Sequence, residues 1–356
     1  MNEVPIEAIY SGRRVAVTGH TGFTGGWLCT WLTMIGAKVY GFSLPAPTET
    51  NLYGALNLGD RINSTIGDIR DAAAVERFFA AAKPEIVFHL AAQPIVSAGF
   101  SDPRGTFDIN VMGTLNVLES ARNCTSARAV VCVTTDKVYR NNEWAWGYRE
   151  IDALGGTDPY SASKSAAEMV VYTYQKALAP RGNRVLIAAA RGGNIIGGGD
   201  WADDRIVPDI VRARLAGTPL VLRNPSATRP WQHVLALSHG YLALGERLLG
   251  GDDTVAGAYN FGPADESERS VGDLVNQASA HWPGPKPSIG NQQFAESHFL
   301  HLSSEKARKE LGWQPPLDFD ATVEWTMNWY RSFYDGVDPR QLTEGQINAY
   351  RTMIGR

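Results

Sequence analysis

Apolar and polar positions alternate along the first half of this chain in blocks rather than residue by residue. The segment Arg13–Leu44, RRVAVTGHTGFTGGWLCTWLTMIGAKVYGFSL, reads as strand, glycine-rich turn, helix and strand. In its helix, Trp27, Leu28, Trp31, Leu32 and Ile35 share one face suited to packing on a sheet, and Gly36 suits a left-handed C-terminal cap. The same rhythm continues through a helix in DAAAVERFFAAAKP, a strand in EIVFHLAAQ, a helix in GTFDINVMGTLNVLESARN and a strand in ARAVVCVTTD. A long helix, DPYSASKSAAEMVVYTYQKAL, then precedes the strand that opens RVLIAAARGGNIIGGG. Strands apolar throughout and separated by helices predict a parallel sheet covered on both faces, an α/β doubly wound fold of the Rossmann type.

After about Arg191 the texture changes. GGNIIGGGDW, NPSATRPW and HWPGPKPSIGN are rich in Gly, Pro, Asn and Trp and predict a smaller, loop-rich C-terminal substrate region. The expected division is a nucleotide-binding domain over 1–190 and a substrate region over 191–356. HVLALSHGYLALGERLL and GAYNFGP are expected to return to the first domain near 232–262, so the boundary is discontinuous.

At 356 residues the chain accommodates such a pair. A net charge of −4 with dispersed basic residues offers no footprint for nucleic acid or an anionic membrane. No apolar run approaches the ~18 residues of a membrane span, and the start carries no apolar leader. Cys29, Cys124 and Cys132 are odd in number, widely spaced and set among apolar residues, which points to a reducing compartment, and a cytoplasmic location is expected. No ligand spacing suggests a metal.

Two motifs carry chemistry. Gly19, Gly22 and Gly25 stand at G-x-x-G-x-x-G spacing between a strand and a helix, where a tight turn and free helix N–H groups receive a pyrophosphate. The second strand ends on Ser43 rather than the acid that would bind the adenosine ribose, which leaves NAD and NADP undistinguished there. Asp68 has two readings, an approach to the adenine end or an N-cap for the next helix. Tyr160 and Lys164, at i and i+4, share a helix face, and a cation beside a phenol lowers its pKa. Such a tyrosine can exchange a proton with a substrate hydroxyl while hydride moves to or from a nicotinamide.

The glycine turn, HLAAQ, the polar end of VVCVTTD and the Tyr160/Lys164 pair resemble the extended short-chain dehydrogenase/reductase family, whose members act on nucleotide-diphosphate sugars. More narrowly, TGHTGFTGGWL, TTDKVY, EWAWGYRE, GGTDPYSASK, RGGNIIGGGDW and RPWQHV are similar to the CDP-glucose 4,6-dehydratases. The resemblance implies NAD as cofactor, CDP-glucose as substrate and a homodimer paired through helices near Met112–Ala121 and Ser161–Tyr174. It implies oxidation at the sugar C4, loss of water across C5 and C6, and hydride return to C6. Tyr160, tuned by Lys164, would take the C4 hydroxyl proton, Thr135 would share it, and Asp136 would protonate the departing C6 hydroxyl. Lys137 stands where dTDP-glucose relatives carry a glutamate base. Its two readings are the C5 base or an ion pair with Asp136 or Glu150.

Carried over in the same way, Thr18, Gly19, His20, Gly22, Phe23, Thr24 and Gly25 form the cofactor turn, with Asp68 and Ile69 toward its adenine end. Leu90, Ala91, Ala92 and Gln93 line its path, Gln93 also facing substrate. Asn110 is either the family's relay asparagine or an ordinary helix residue. Asn194, Arg205, Arg223 and Arg229 are candidates for the sugar-nucleotide diphosphate, since guanidinium forks suit its oxygens. His233 reads as structural. The chain departs from the family at Thr24, Gly26, Thr135, Val138 and Gly192, none of which removes a catalytic group. Two rival readings are a nucleotide-sugar epimerase, which has no use for the Asp136/Lys137 pair, and a non-catalytic NAD-binding regulator, against which the retained Tyr160 and Lys164 weigh.

Overall fold

Seven short strands, every pairing parallel, form the central sheet of the computed structural model, which describes residues 6–178, 185–263, 269–290 and 300–355. They are β1 (Arg14–Thr18), β2 (Lys38–Ser43), β3 (Asn63–Ile66), β4 (Ile86–His89), β5 (Ala129–Val133), β6 (Leu186–Arg191) and β7 (Ala258–Asn260). Their order is β3-β2-β1-β4-β5-β6-β7. The order reverses between β1 and β4, where Thr18 lies opposite His89, and a crevice opens at the C-terminal ends of strands at such a point. The principal helices are α1 (Phe23–Met34), α2 (Ala72–Ala82), α3 (Gly113–Asn123), α4 (Pro159–Thr173), α5 (Ile206–Ala216), α6 (Val234–Leu249), α7 (Phe319–Tyr334) and α8 (Pro339–Met353).

Both faces of the sheet are covered, as the unbroken apolar strands require: Val15, Val17, Phe88 and Val131 point into one core, Ala16, Val87, Val130 and Cys132 into the other. Gly36 has φ +80 just beyond α1, the expected left-handed cap. The strand opening RVLIAAAR is seen from Leu186; its first expected residue, Arg184, lies outside the described residues.

The returns near 232–262 take the form of α6, buried along nearly its whole length, and β7, which pairs with β6. The sequence pattern did not anticipate that the C-terminal helices also come back. Trp31 of α1 meets Tyr350 of α8 edge to face, Trp27 Nε1 donates to the Gly198 carbonyl, and Gly198 has no room for a Cβ beneath Trp329 of α7. The segment expected to be one helix over 105–123 is instead interrupted by a π-helical turn, Asp108–Met112, before α3. Such turns re-aim side chains, and this one buries Asn110.

Candidate active site

The glycine turn leaves β1 at the switch point. Gly19 has φ +80, and a Cβ there would sit 2.8 Å from the Ala91 nitrogen; one on Gly25 would sit 2.1 Å from the Gly19 carbonyl oxygen. Gly22 differs, because its Cβ would meet only the Gly19 oxygen, at 3.4 Å. It begins α1 with no side-chain cap and no acid in the first turn, so the helix N-terminus presents its N–H groups to an anion. Phe23 and Thr24, half-buried, complete that turn.

His20 departs from the expectation of a side chain facing the cofactor. Its ring is fully buried against Gly41 and Tyr53, with Nε2 2.7 Å from the Ser64 hydroxyl, and burial lowers its pKa to about 4. It props the turn from beneath. Ser43, at the end of β2, bonds Thr21. Asp68 does not cap the next helix: Asp71 does, accepting from Ala74 N–H, while Asp68 accepts from Arg70, which holds its carboxyl below the ordinary range. Ile69 is buried where Gly113 comes close.

A histidine with no role in the sequence reading orders the floor of the crevice. His89 Nδ1 lies 2.7 Å from Thr18 Oγ1, and its Nε2 lies 3.0 Å from Thr114 Oγ1. Thr114 donates to the Asn110 carbonyl, so His89 Nε2 is the donor and Nδ1 the acceptor of the Thr18 proton. Thr18 in turn accepts from Ala91 N–H at 3.2 Å. Burial, with the Lys164 charge nearby, lowers the His89 pKa to about 3, so this directed chain stays neutral. Leu90, Ala91 and Ala92 follow it, half-buried. Gln93 spends its side chain within its own loop, on Thr106 and Ile95 N–H. Asn110 accepts from Gln93 N–H and donates to Ser163, which ties the loop after β4 to α4.

The polar end of β5 and the N-terminal half of α4 converge. Asp158 caps α4 and Pro159 occupies its first turn. Tyr160 is 8% exposed, in the first turn of a helix packed against the turn that carries Thr135 and Asp136. Thr135 caps the 3-10 turn Asp136–Val138 and donates to Asp136 Oδ1 at 2.9 Å. Asp136 is 1% exposed, and its Oδ2 accepts from Asn194 Nδ2 at 3.2 Å. Lys137 is half-buried, and among the described residues its amine makes no hydrogen bond or ion pair. Glu150, one proposed partner, accepts from Asn260 N–H instead.

Burial drives the Tyr160 phenol up, to about 12, with Thr135 opposing; this is the reverse of the expected lowering by Lys164. Desolvation lowers buried Lys164 to about 8, with Cys132 and Glu168 opposing. Its Nζ donates to the Val133 carbonyl at 3.0 Å, which fixes the amine at the end of β5.

Behind this cluster lies a buried network of which the sequence reading had no account. Glu168, two turns after Tyr160 on the same helix face, accepts from Thr134 at 2.6 Å and from Arg191 at 3.0 and 2.9 Å. Arg191 also donates to Tyr139, which donates to Asn260 of β7. The i, i+4, i+8 spacing of Tyr160, Lys164 and Glu168 and the charge ending LIAAAR were its legible signals.

Of the diphosphate candidates, Asn194 is committed to Asp136. Arg205 caps no acid closely, lying 3.9 Å from Asp200, and its charge reaches Tyr160. Arg223 lies 3.7 Å from Asp204 in an open groove of about 620 Å³ with Arg212, Pro219 and Val221. Arg229 donates to the neighbouring Thr228 carbonyl and pairs in a two-residue ribbon with Arg269. His233 is buried and caps α6 through Nδ1, a structural place. At Gly192, a departure from the family pattern, a Cβ would lie 2.7 Å from a Leu237 methyl, so an alanine there requires that side chain to shift.

Sheet order, glycine turn and the Tyr–Lys helix together place the protein among Rossmann-fold enzymes of the short-chain dehydrogenase/reductase type. It belongs to the GDP-mannose 4,6 dehydratase family, whose model matches residues 16–326. The chain is 40% identical over 353 residues to a CDP-glucose 4,6-dehydratase of Salmonella typhimurium, covering 98% of each chain. Its fold is similar to the crystal structure of a dTDP-glucose 4,6-dehydratase from Streptomyces venezuelae with NAD bound, at TM-score 0.77 and 22% identity, covering 92% of this chain and 99% of that one. It is also similar to Thermus thermophilus UDP-glucose 4-epimerase in complex with NAD, at TM-score 0.77 and 23% identity, covering 89% and 99%.

Proposed function

We propose that this protein dehydrates CDP-glucose to CDP-4-dehydro-6-deoxyglucose with NAD as a regenerated cofactor. The observation that carries the reading is Asp136, a buried carboxyl bonded by Thr135 on a turn packed against the helix of Tyr160. Proton exchange at one hydroxyl, all that an epimerase requires, leaves such an acid without work. The identity to the Salmonella enzyme over nearly the full chain supports the choice of nucleotide.

The glycine turn fits a dinucleotide: Gly22 leaves space where its Cβ would be, and α1 opens uncapped. NAD, when bound, accepts the C4 hydride and gives it back at C6. Tyr160 takes the C4 hydroxyl proton, the resulting ketone acidifies C5–H, the Lys137 side chain takes that proton, and Asp136 protonates the C6 hydroxyl as it leaves. Arg205, whose charge reaches Tyr160, is suited to the sugar-nucleotide diphosphate, and Arg223 to its outer end.

The test is incubation with CDP-, dTDP- and UDP-glucose and GDP-mannose, followed by mass spectrometry. Loss of one water from CDP-glucose is expected; isomerisation without mass change would establish an epimerase instead. Lys137→Ala is expected to exchange hydride at C4 while losing deuterium wash-in at C5 by about 10²-fold or more. Full C5 exchange in that variant would remove Lys137 from the base role.

The two helical segments expected to pair subunits carry exposed apolar side chains, Met112 before α3 and Met169 and Tyr172 on α4, each 46–58% exposed, and Phe107, just before the first segment, is 39% exposed. This patch supports a homodimer. Sedimentation at twice the chain mass is expected, with Met169→Asp moving the protein toward monomer.

A further inference from the structure

Resting on the dehydratase reading, water loss requires the Asp136 carboxyl to face the departing C6 oxygen in one fixed direction. In that step the carboxyl O–H bond breaks and its proton joins the C6 oxygen. The C6–O bond then breaks with its electron pair, water leaves, and the electrons released at C5 form the C5–C6 double bond. Asp136 is 1% exposed and lies against the segment 192–194, which meets it at each residue. Its N–H donates to the Gly192 carbonyl at 3.2 Å. Gly193 passes so close that a Cβ there would lie 2.2 Å from the carboxyl carbon. Asn194 Nδ2 donates to Oδ2 at 3.2 Å, while Thr135 holds Oδ1 at 2.9 Å. The Asn194 backbone has a left-handed φ of +50, which a residue other than glycine keeps where its surroundings impose it.

Gln232 imposes it. Its side chain, 3% exposed, donates from Nε2 to the Gly193 carbonyl at 3.2 Å and to the Phe261 carbonyl at 2.8 Å. Its backbone N–H donates to the Asn194 carbonyl at 3.3 Å. The Gly193 and Asn194 carbonyls belong to the two peptide planes that flank the Asn194 Cα, so holding both sets the φ and ψ of that residue. Among the described residues nothing donates to Gln232 Oε1, so the amide acts here as a donor alone. Phe261 follows β7 directly, and the bond to it ties the bed of the carboxyl to the sheet.

We propose that Gln232 is a positioning residue for water loss: by fixing the backbone on both sides of Asn194, it keeps the Asp136 carboxyl aimed at the C6 hydroxyl. The groups of C4 oxidation are held by other means. Asp158 caps α4, the Lys164 amine donates to the Val133 carbonyl, and the glycine turn leaves β1, two strands away from β6 across β4 and β5. A defect at Gln232 therefore falls on the elimination and spares the oxidation.

The experiment uses Gln232→Met, which keeps the length and removes the side-chain donors, and Gln232→Glu, which exchanges one NH2 group for oxygen. With NAD and CDP-glucose, both are expected to lower kcat by about tenfold or more with KM within about threefold of wild type. The absorbance of reduced nicotinamide in the steady state is expected to rise severalfold, because C4 oxidation continues while the next step lags. From CDP-6-deoxy-6-fluoroglucose fluoride departs without being handed a proton, so the deficit against wild type should shrink to about threefold or less. A loss equal for both substrates, a fall in kcat with no rise in reduced nicotinamide, or a kcat within about twofold of wild type would overturn the proposal. Thermal melts accompany the kinetics; if neither variant folds, Gln232 serves the fold alone and the proposal falls. A wild-type protein that releases no water from CDP-glucose would instead refute the dehydratase reading, before any variant is compared.

Discussion

Tyr160→Phe is expected to lower turnover of CDP-glucose by about 10²–10⁴-fold, the range for loss of a positioned acid–base group. The substitution deletes one oxygen and keeps the buried ring, whose Cβ and backbone pack beside Gly99. Among the described residues the lost hydroxyl makes no hydrogen bond, so the structural cost is about 1 kcal/mol or less and the melting temperature should change by only a few degrees. Rate and stability therefore separate. Steady-state kinetics beside a thermal melt check this; a rate within about tenfold of wild type would take Tyr160 out of proton transfer, and an unfolded variant would show that its oxygen is structural.

Arg191→Met is expected to destabilise the fold by about 3–5 kcal/mol, because it strands the Glu168 charge in the interior. Both side chains are 4% exposed, and among the described residues Glu168 then retains the Thr134 hydroxyl as its hydrogen-bond partner, with the Lys164 charge nearby. Burial works against the arginine charge, but Glu168 and Tyr139 more than offset it, and the Arg191 pKa ends above its ordinary value. Against a total stability of about 5–15 kcal/mol such a loss is large. Glu168→Leu combined with Arg191→Met should recover most of it, since an apolar pair of similar volume leaves no buried charge. Urea unfolding measures both; a single variant within about 1 kcal/mol of wild type would mean that water or another group reaches Glu168. Because Thr134 follows β5 and Arg191 ends β6, Glu168 also ties the ends of both strands to α4 behind the reacting groups.

Much of the site was legible because it obeys local periodicities. A strand that ends in TTD and a helix with Tyr160 and Lys164 on one face need only the 2.0 and 3.6 repeats to be placed, and the three glycines need only the strand–turn–helix context. Other roles depended on neighbours far along the chain. Asn194 read as an anion ligand from its motif, yet it faces Asp136, 58 residues away. His20 read as a cofactor contact from its place in the turn, yet the fold turns its ring under Gly41 and onto Ser64. His89 carries no motif of its own inside an apolar strand, where only the pairing of β1 with β4 and the approach of α3 bring Thr18 and Thr114 to its two nitrogens.

The sequence by itself determined the doubly wound sheet, the place of the glycine turn and the chemical types gathered at the end of β5, since each follows from apolar spacing and backbone freedom within about 30 residues. Tertiary structure alone decided which partner each polar group spends itself on. It gave Asp136 two donors, left Lys137 without a partner among the described residues, and raised rather than lowered the Tyr160 phenol. The reason is physical: hydrogen bonds and desolvation depend on distances of a few ångströms between segments that the chain separates by tens to hundreds of residues.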